Sequence, residues 1–272
     1  MTARYAAELA ALAEGDDVKA CCAALYENPV VRWLLGGELH PGGADTTRRA
    51  LELIGADSGD LLLDVAAGTG SSALLAAREL GCRAVGVEYG VSAVAAALAA
   101  AAAERLDDRV EFIVGDAEEL PFADGEFDLV LCECSLCTFP NKARALGEMR
   151  RVVRPGGRVA IADVVADHDR LPEELRGAMA TIACVGEALT VDGYRELIEG
   201  AGLGLLRIEP RDADADALAE RVRDRLRGAR IVVGEELADL PGGIDGAIGL
   251  VDRGRRAIAE GALGYSIFVA AA

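Results

Sequence analysis

The sequence predicts an α/β fold built on a largely parallel β-sheet. From residue 45 onward, short apolar runs alternate with longer segments in which apolar residues recur at helical spacing. Strands separated by helices of about 10–15 residues indicate βαβ units and a parallel sheet. The predicted strands are 61–65, 84–88, 110–114, 127–132, 158–164, 203–209 and 265–270. The predicted helices are 46–54, 71–80, 92–103, 142–153, 172–183, 191–201, 213–226 and 244–260.

The length and composition allow a substantial core. The chain has 272 residues, of which 52% are hydrophobic, which suits one large α/β domain or one domain with an appended lobe. The first segment has apolar residues at helical spacing and ends in the turn His40-Pro41-Gly42-Gly43. We therefore predict an N-terminal helical cap over residues 1–44 and a main domain over residues 45–272.

Charge and cysteine content narrow the partners and the compartment. The net charge is −18, spread along the chain, and such a balance opposes binding to a phosphate backbone. No apolar stretch reaches the roughly 20 residues that a bilayer requires, and the first 12 residues lack the apolar core of a secretion signal. Seven cysteines, an odd number, favour reduced thiols over a disulfide framework. We expect a cytoplasmic protein that acts on a small molecule, without nucleic-acid or membrane partners; its oligomeric state is left open.

A glycine-containing loop follows the first predicted strand. Gly68 and Gly70 allow a tight turn and let the backbone approach a ligand at a helix N-terminus. Residues 68–73 also satisfy the pattern of a dinucleotide site, so a nicotinamide oxidoreductase is one interpretation. Glu88, which ends the next strand, suits ribose hydroxyls in either case. Asp64, just before the loop, would repel a pyrophosphate but suits the cationic amino-acid end of S-adenosyl-L-methionine (SAM).

Three further segments separate these interpretations. Residues 115–122 follow the third predicted strand, residues 127–130 open the fourth, and residues 154–157, Arg-Pro-Gly-Gly, lead into the fifth. In this order, and together with the glycine loop, they resemble the class I SAM-dependent methyltransferases over roughly residues 60–165. The resemblance implies a Rossmann-like, seven-stranded, mostly parallel sheet with helices on both faces and a reversed last strand at 265–270.

The same resemblance implies roles for individual residues. Gly68 and Gly70 make room for SAM, Glu88 binds the ribose diol, and Asp116 with the Ala117 backbone holds the adenine. Without a cofactor, Glu88 would be a solvated carboxylate at a strand end, and Asp116 and Asp64 would be turn or cap residues. The complete predicted set is Asp64, Ala66, Gly68, Gly70, Glu88, Tyr89, Asp116, Ala117 and Glu133.

Cysteines follow the fourth predicted strand, at the sheet edge where ligands of open α/β sheets bind. Residues 134–142 and residues 183–189 resemble the arsenite methyltransferases, in which thiolates hold trivalent arsenic. The matching positions are Cys134 and Cys184, which we predict to be catalytic arsenic ligands. Cys21 and Cys22 are candidates for further ligands on a looser match. Soft thiolates suit such a centre, and the arsenic lone pair can attack the methyl group without a general base.

Other interpretations of these thiols remain open. Free cysteine is often buried, and Cys82 is interpreted as core filling. A zinc site formed by Cys132, Cys134 and Cys137 lacks the usual paired spacing. The protein could then methylate a small organic O, N, C or S nucleophile, or bind SAM or a soft metal without catalysis. The chain also lacks the thiol-rich C-terminal domain of the arsenite enzymes. Both histidines, His40 and His168, are interpreted as turn or surface residues.

Overall fold

A computed structural model describes residues 29–36, 40–176, 184–232 and 243–272. The sheet has seven strands in the order β3-β2-β1-β4-β5-β7-β6. The strands are β1 Leu61–Val65, β2 Arg83–Glu88, β3 Val110–Val114, β4 Phe127–Glu133, β5 Val153–Ala166, β6 Gly204–Pro210 and β7 Leu263–Ala271. The helices are α1 Pro29–Leu35, α2 Gly43–Ile54, α3 Ser71–Leu80, α4 Val91–Glu104, α5 Lys142–Val152, α6 Val191–Gly200, α7 Asp212–Val232 and α8 Gly243–Ala259.

The first five strands are parallel and the last is reversed. β1 pairs in parallel with both β2 and β4, so that Leu63 lies between Val85 and Val130. β7 runs antiparallel to β5 and to β6. The predicted α/β, mostly parallel, seven-stranded sheet with a reversed last strand is confirmed. Because the strand order reverses between β1 and β4, their carboxyl ends form the crevice where such sheets bind ligands.

Two apolar layers cover the faces of the sheet. Alternate residues point to opposite faces, and in β4 Leu131 packs with one layer while Val130 packs with the other. Helices α2, α3, α4 and α8 contribute to the first layer, and α5 and α6 contribute to the second. Each fully buried large side chain contributes about 1.5–3 kcal/mol relative to an exposed one. The two layers therefore hold the carboxyl edge as a rigid platform.

Several predicted boundaries differ from the observed ones. β5 begins at Val153 rather than at residue 158, because Val153 pairs with Phe127 and the register then shifts across the Pro-Gly-Gly segment to join Leu129 with Arg158. α7 continues past the predicted end at residue 226, because Gly228 costs a helix only about 1 kcal/mol. Of the predicted helix 172–183, the described part forms a short 3-10 turn at Glu173–Leu175, and residues 177–183 lie outside the described residues.

Two further predictions concern the N-terminal cap and helices that could cross a membrane. Residues 1–28 lie outside the described residues, so the cap over residues 1–44 stays a prediction. No helix in the described part of the chain is long and apolar enough to cross a lipid bilayer.

Candidate active site

A cavity of about 390 Å³ opens at the carboxyl edge of the sheet, within the range of about 300–1,000 Å³ that is usual for small-molecule sites. The glycine loop after β1, the ends of β2 and β3, and the turn after β4 form its walls. All of the predicted cofactor residues except Gly70 line this cavity, namely Asp64, Ala66, Gly68, Glu88, Tyr89, Asp116, Ala117 and Glu133.

Gly70 has a different environment from the one predicted. Its φ is +84°, a left-handed conformation that favours glycine. A Cβ atom placed on Gly70 would collide with the ring of Phe112 and approach Ala97 closely. Gly70 therefore packs against the core at the start of α3, and its contribution to cofactor binding stays a prediction.

Glu88 is fixed over the glycine loop by two backbone donors. The Gly68 N–H donates to Glu88 Oε2 at 2.9 Å, and the Gly90 N–H donates to Oε1 at 2.8 Å. Each carboxylate oxygen keeps a second lone pair. The carboxylate is thus oriented by its own backbone and can still accept hydroxyl hydrogens from a diol in the cavity.

Asp64 and Glu133 place two carboxylates together in the lining of the cavity. Asp64 is 3% exposed, and its Oδ2 accepts the Ala73 N–H at 3.2 Å. Burial, and then repulsion from Glu133, raise the pKa of Asp64 well above its usual range. Two neighbouring buried carboxylates favour a cation between them. The part of the cavity beside Asp64 and Glu133 therefore suits an ammonium group.

Glu133 belongs to a polar cluster that the sequence did not reveal. Its Oε2 accepts the Ser72 hydroxyl at 2.6 Å and the Thr47 hydroxyl at 3.0 Å. His40 Nε2 lies 3.9 Å from the same oxygen. His40 is 8% exposed and lines the cavity, so it is not a surface residue. It does lie in a turn, the other predicted possibility, and its carbonyl oxygen accepts the Gly43 N–H at 3.2 Å. Arg32 of α1 also lines the cavity.

The two predicted arsenic ligands meet beside this cavity. Cys134 Sγ and Cys184 Sγ are 3.9 Å apart, although the residues are 50 positions apart in the chain. Cys134 lines the cavity, whereas Cys184 is 3% exposed and lies behind it, 3.8 Å from the Cys134 carbonyl oxygen. The hydrogen bond with Cys184, and then burial, raise the pKa of the Cys134 thiol well above its usual value. The Cys134 thiol is therefore protonated at neutral pH.

Cys137 and Asp163 stand next to this thiol pair. The Cys137 N–H donates to Asp163 Oδ2 at 2.8 Å, and Asp163 is fully buried. Burial, and then the nearby Cys184, raise the pKa of Asp163 to about 7. Asp163 was not predicted, because the sequence 158–164 reads as a plain buried strand.

The structure separates the thiols that the zinc interpretation groups. Cys132 packs in the apolar layer that contains α5, whereas Cys137 packs in the opposite layer. Among the described residues, no three His, Cys, Asp or Glu side chains are arranged to hold a metal ion. The zinc interpretation therefore has no support in this part of the chain. Cys82 is buried in the core. Cys21 and Cys22 lie outside the described residues.

Comparisons with known proteins agree with this geometry. Residues 56–202 match the family model described as a methyltransferase domain, which is more than half of the chain. Methyltransferase GfsG of Streptomyces halstedii is 33% identical over 172 residues, 62% of each chain. The arsenite methyltransferase of Halobacterium salinarum is 32% identical over 182 residues, 64% of this chain and 45% of the relative. The chain thus spans less than two thirds of both relatives.

Other similar proteins are named for different reactions. The demethylmenaquinone methyltransferase of Thermus thermophilus is 32% identical over 216 residues, which are 78% of this chain and 94% of the relative. The crystal structure of the [4+2]-cyclase SpnF superposes with a TM-score of 0.70 at 24% identity, covering 89% of this chain and 92% of that one. A cyclase on this fold illustrates that the fold alone does not fix the reaction.

The donor set of the cavity fits SAM, the cofactor that goes with this family. The cavity is lined by a cation-attracting pair, Asp64 and Glu133, and by a backbone-oriented carboxylate, Glu88. These groups match the amino-acid end and the ribose of SAM in chemistry. The chain therefore belongs to the methyltransferase domain family, with the class I fold and S-adenosyl-L-methionine as its cofactor.

Proposed function

We propose that this protein methylates trivalent arsenic bound to Cys134 and Cys184. The observation that carries the proposal is the 3.9 Å separation of the two sulfurs at the edge of the cofactor cavity. Two thiolates on a tetrahedral zinc ion, with bonds of about 2.3 Å, lie about 3.8 Å apart. The two thiols are therefore already at a distance that one bound atom can bridge. A ligand that reaches Cys184 enters past Cys134, which lines the cavity.

The backbone at both cysteines supports a functional role. Cys134 has φ +51° and Cys184 has φ +60°, a left-handed conformation that costs a non-glycine residue about 1–2 kcal/mol. Ala66, which lines the cavity, shares this feature, and Arg105 is the other such non-glycine residue in the described part of the chain. Strained backbone collects at functional sites. Cysteines that only filled space would not need this left-handed backbone. Its conformational free energy is therefore spent on holding the two thiols together.

The chemistry requires few groups. Each protonated thiol replaces one hydroxyl of arsenous acid, and the thiol hydrogen leaves with that hydroxyl as water. Asp64 and Glu133 would hold the ammonium group of bound SAM, and Glu88 would hold its ribose. SAM would then supply an electrophilic methyl group to the arsenic lone pair, with the C–S bonding electrons leaving on the sulfur. Cys134 and Cys184 orient the lone pair toward the cavity. A reducing cytoplasmic compartment would keep both thiols free.

A small organic nucleophile is the second candidate for the methyl acceptor. Relatives of similar identity act on organic molecules, and the demethylmenaquinone methyltransferase of Thermus thermophilus matches over 94% of its own length. In that case the paired cysteines would only fill space beside the cavity. The two candidates differ in their dependence on the thiols.

The test is methylation of arsenite by the purified protein with SAM and a reducing thiol, with methylarsenicals separated by chromatography and detected by mass spectrometry. We expect methylated arsenic from the wild type and a loss of at least about 10-fold in rate for Cys134→Ser or Cys184→Ser, since even residues that only support a metal ligand contribute about 10- to 100-fold. Cys82→Ala, which changes a buried thiol away from the cavity, is the matched control and should keep the wild-type rate.

Three outcomes would contradict the proposal. No methylated arsenic from the folded wild type would exclude arsenite as the acceptor. A Cys134→Ser variant that binds and methylates arsenite as the wild type does would remove the thiols from the mechanism. SAM binding without turnover of arsenite, a quinol or another organic acceptor would instead favour a non-catalytic binder.

A further inference from the structure

The cofactor cavity contains two side chains that can carry positive charge among its described lining residues, Arg32 and His40. Four carboxylates line the same cavity, those of Asp64, Glu88, Asp116 and Glu133. A ligand that carries a carboxylate of its own meets an unfavourable field here unless a cation is close to it. The carboxylate of an amino-acid ligand therefore needs a positively charged side chain beside it in this cavity. Arg32 and His40 are the two candidates.

His40 is already committed within the protein. Its Nδ1 lies 3.3 Å from the Pro41 carbonyl oxygen, which places a hydrogen on that nitrogen. Its Nε2 faces the Thr47 hydroxyl at 3.5 Å and Glu133 Oε2 at 3.9 Å. Both ring nitrogens of His40 therefore face polar groups of the protein itself. His40 thus serves the polar cluster around Glu133.

Arg32 has the properties that the remaining contact requires. Its guanidinium is charged at every accessible pH and presents a planar fork of donors that matches a carboxylate. Arg32 lies in α1, and it lines the same cavity as the carboxylates. We propose that Arg32 binds the α-carboxylate of the cofactor's amino-acid end, while Asp64 and Glu133 receive its ammonium group.

Helix α7 fixes α1 in the position that this contact needs. Arg225 of α7 donates from Nη1 to the carbonyl oxygen of Leu34, at the end of α1, at 2.7 Å. Gly36, with φ +86°, allows this approach, because a Cβ atom there would run into the Arg225 guanidinium. Arg225 is therefore a positioning residue, which acts on the cofactor through the placement of α1.

The inference holds for any methyl acceptor, so its test does not depend on arsenite. Two ligands are compared by isothermal titration calorimetry: S-adenosylhomocysteine, which has the amino-acid end, and 5′-methylthioadenosine, which lacks it. For Arg32→Ala and Arg32→Gln we expect the affinity for S-adenosylhomocysteine to fall by about 10- to 100-fold, as for a lost charge-assisted hydrogen bond. The affinity for 5′-methylthioadenosine should stay at the wild-type value.

Two further variants test the charge and the placement. Arg32→Lys should recover part of the affinity for S-adenosylhomocysteine, because it restores the charge without the fork. Arg225→Ala should weaken S-adenosylhomocysteine by less than Arg32→Ala does and leave 5′-methylthioadenosine unchanged. Arg48→Ala is the matched control, since Arg48 pairs with Glu79 at the surface, and it should affect neither ligand.

The comparison also defines what overturns the proposal. Unchanged binding of S-adenosylhomocysteine by both neutral Arg32 variants would show that Arg32 makes no contact with the amino-acid end. An equal loss for both ligands would show that Arg32 supports the shape of the cavity and binds no carboxylate. Unaltered binding of 5′-methylthioadenosine shows that each variant is folded.

Discussion

At the scale of single residues, two glycines show how differently the same residue type is used. Gly70 combines a φ of +84° with the ring of Phe112 directly where a Cβ atom would lie. Gly147 lies within α5, and no atom comes within 4 Å of a Cβ placed there. The first position requires glycine for two independent reasons, whereas the second has room for a side chain.

The two positions should therefore respond to alanine with opposite signs. Gly70→Ala should lower the free energy of unfolding by about 2–4 kcal/mol, from the left-handed backbone and from overpacking against Phe112. Gly147→Ala should raise it by about 0.5–1 kcal/mol, because alanine is the better helix former. Urea unfolding followed by circular dichroism measures both free energies of unfolding. A Gly70→Ala protein as stable as the wild type would contradict the tight packing of Gly70 against Phe112.

The site residues predicted from continuous motifs lie at the cavity, although their binding roles stay predictions. Glu88 ends β2 and Asp116 follows β3, so the parallel sheet alone brings them to one edge. Arg32 and His40 could not be found in this way, because their approach to the cavity depends on how the segments before β1 fold back over the sheet. Cys134 and Cys184 were paired by a resemblance, since their separation of 50 positions carries no local signal.

At the scale of elements, an ion pair joins α2 to the end of β6. Arg49 donates from Nε and Nη2 to the two oxygens of Glu209, each at 2.7 Å. The hydrogen bond from Arg49 holds the pKa of Glu209 below its usual value. This two-point contact links a helix of the first apolar layer to the edge strand of the sheet.

The contribution of this pair should depend on pH in a defined direction. A carboxylate with a lowered pKa in the folded state stabilises the protein above its unfolded pKa of about 4.3 and loses that effect as the pH falls. Glu209→Gln should therefore lower the urea midpoint modestly at pH 7 and progressively less toward pH 3.5. Glu111→Gln, at an exposed carboxylate of β3, is the control. A difference that grows in acid would contradict the assignment.

The elements themselves were largely predictable from the sequence. β1, β3 and α3 have the predicted boundaries, because each is a short strand-like or helical pattern between clear turn signals. The start of β5 was missed, since pairing of Val153 with Phe127 across a register shift is a tertiary property. The extension of α7 past residue 226 was not predicted, because a glycine at residue 228 is typical of a helix end, whereas here Gly228 lies within the helix.

At the scale of the whole molecule, the cavity depends on many elements at once. Its walls come from α1, from the segment before α2, and from the ends of β1, β2, β3 and β4. The two apolar layers that support these strands pack against the two faces of the same sheet. A ligand in the cavity is therefore coupled to the central fold and not to a detachable part of it.

This coupling predicts how the cofactor product should affect global stability. S-adenosylhomocysteine at 100 times its dissociation constant should add about 2.7 kcal/mol to the free energy of unfolding, which corresponds to a rise in Tm of about 5–10 °C for a chain of this size. 5′-Methylthioadenosine at the same multiple of its own dissociation constant should give the same shift, because the linkage depends on saturation and not on which contacts are made. Differential scanning calorimetry measures both shifts. Binding by calorimetric titration without any shift in the main transition would mean that the cavity unfolds separately from the sheet, against the shared strands described above.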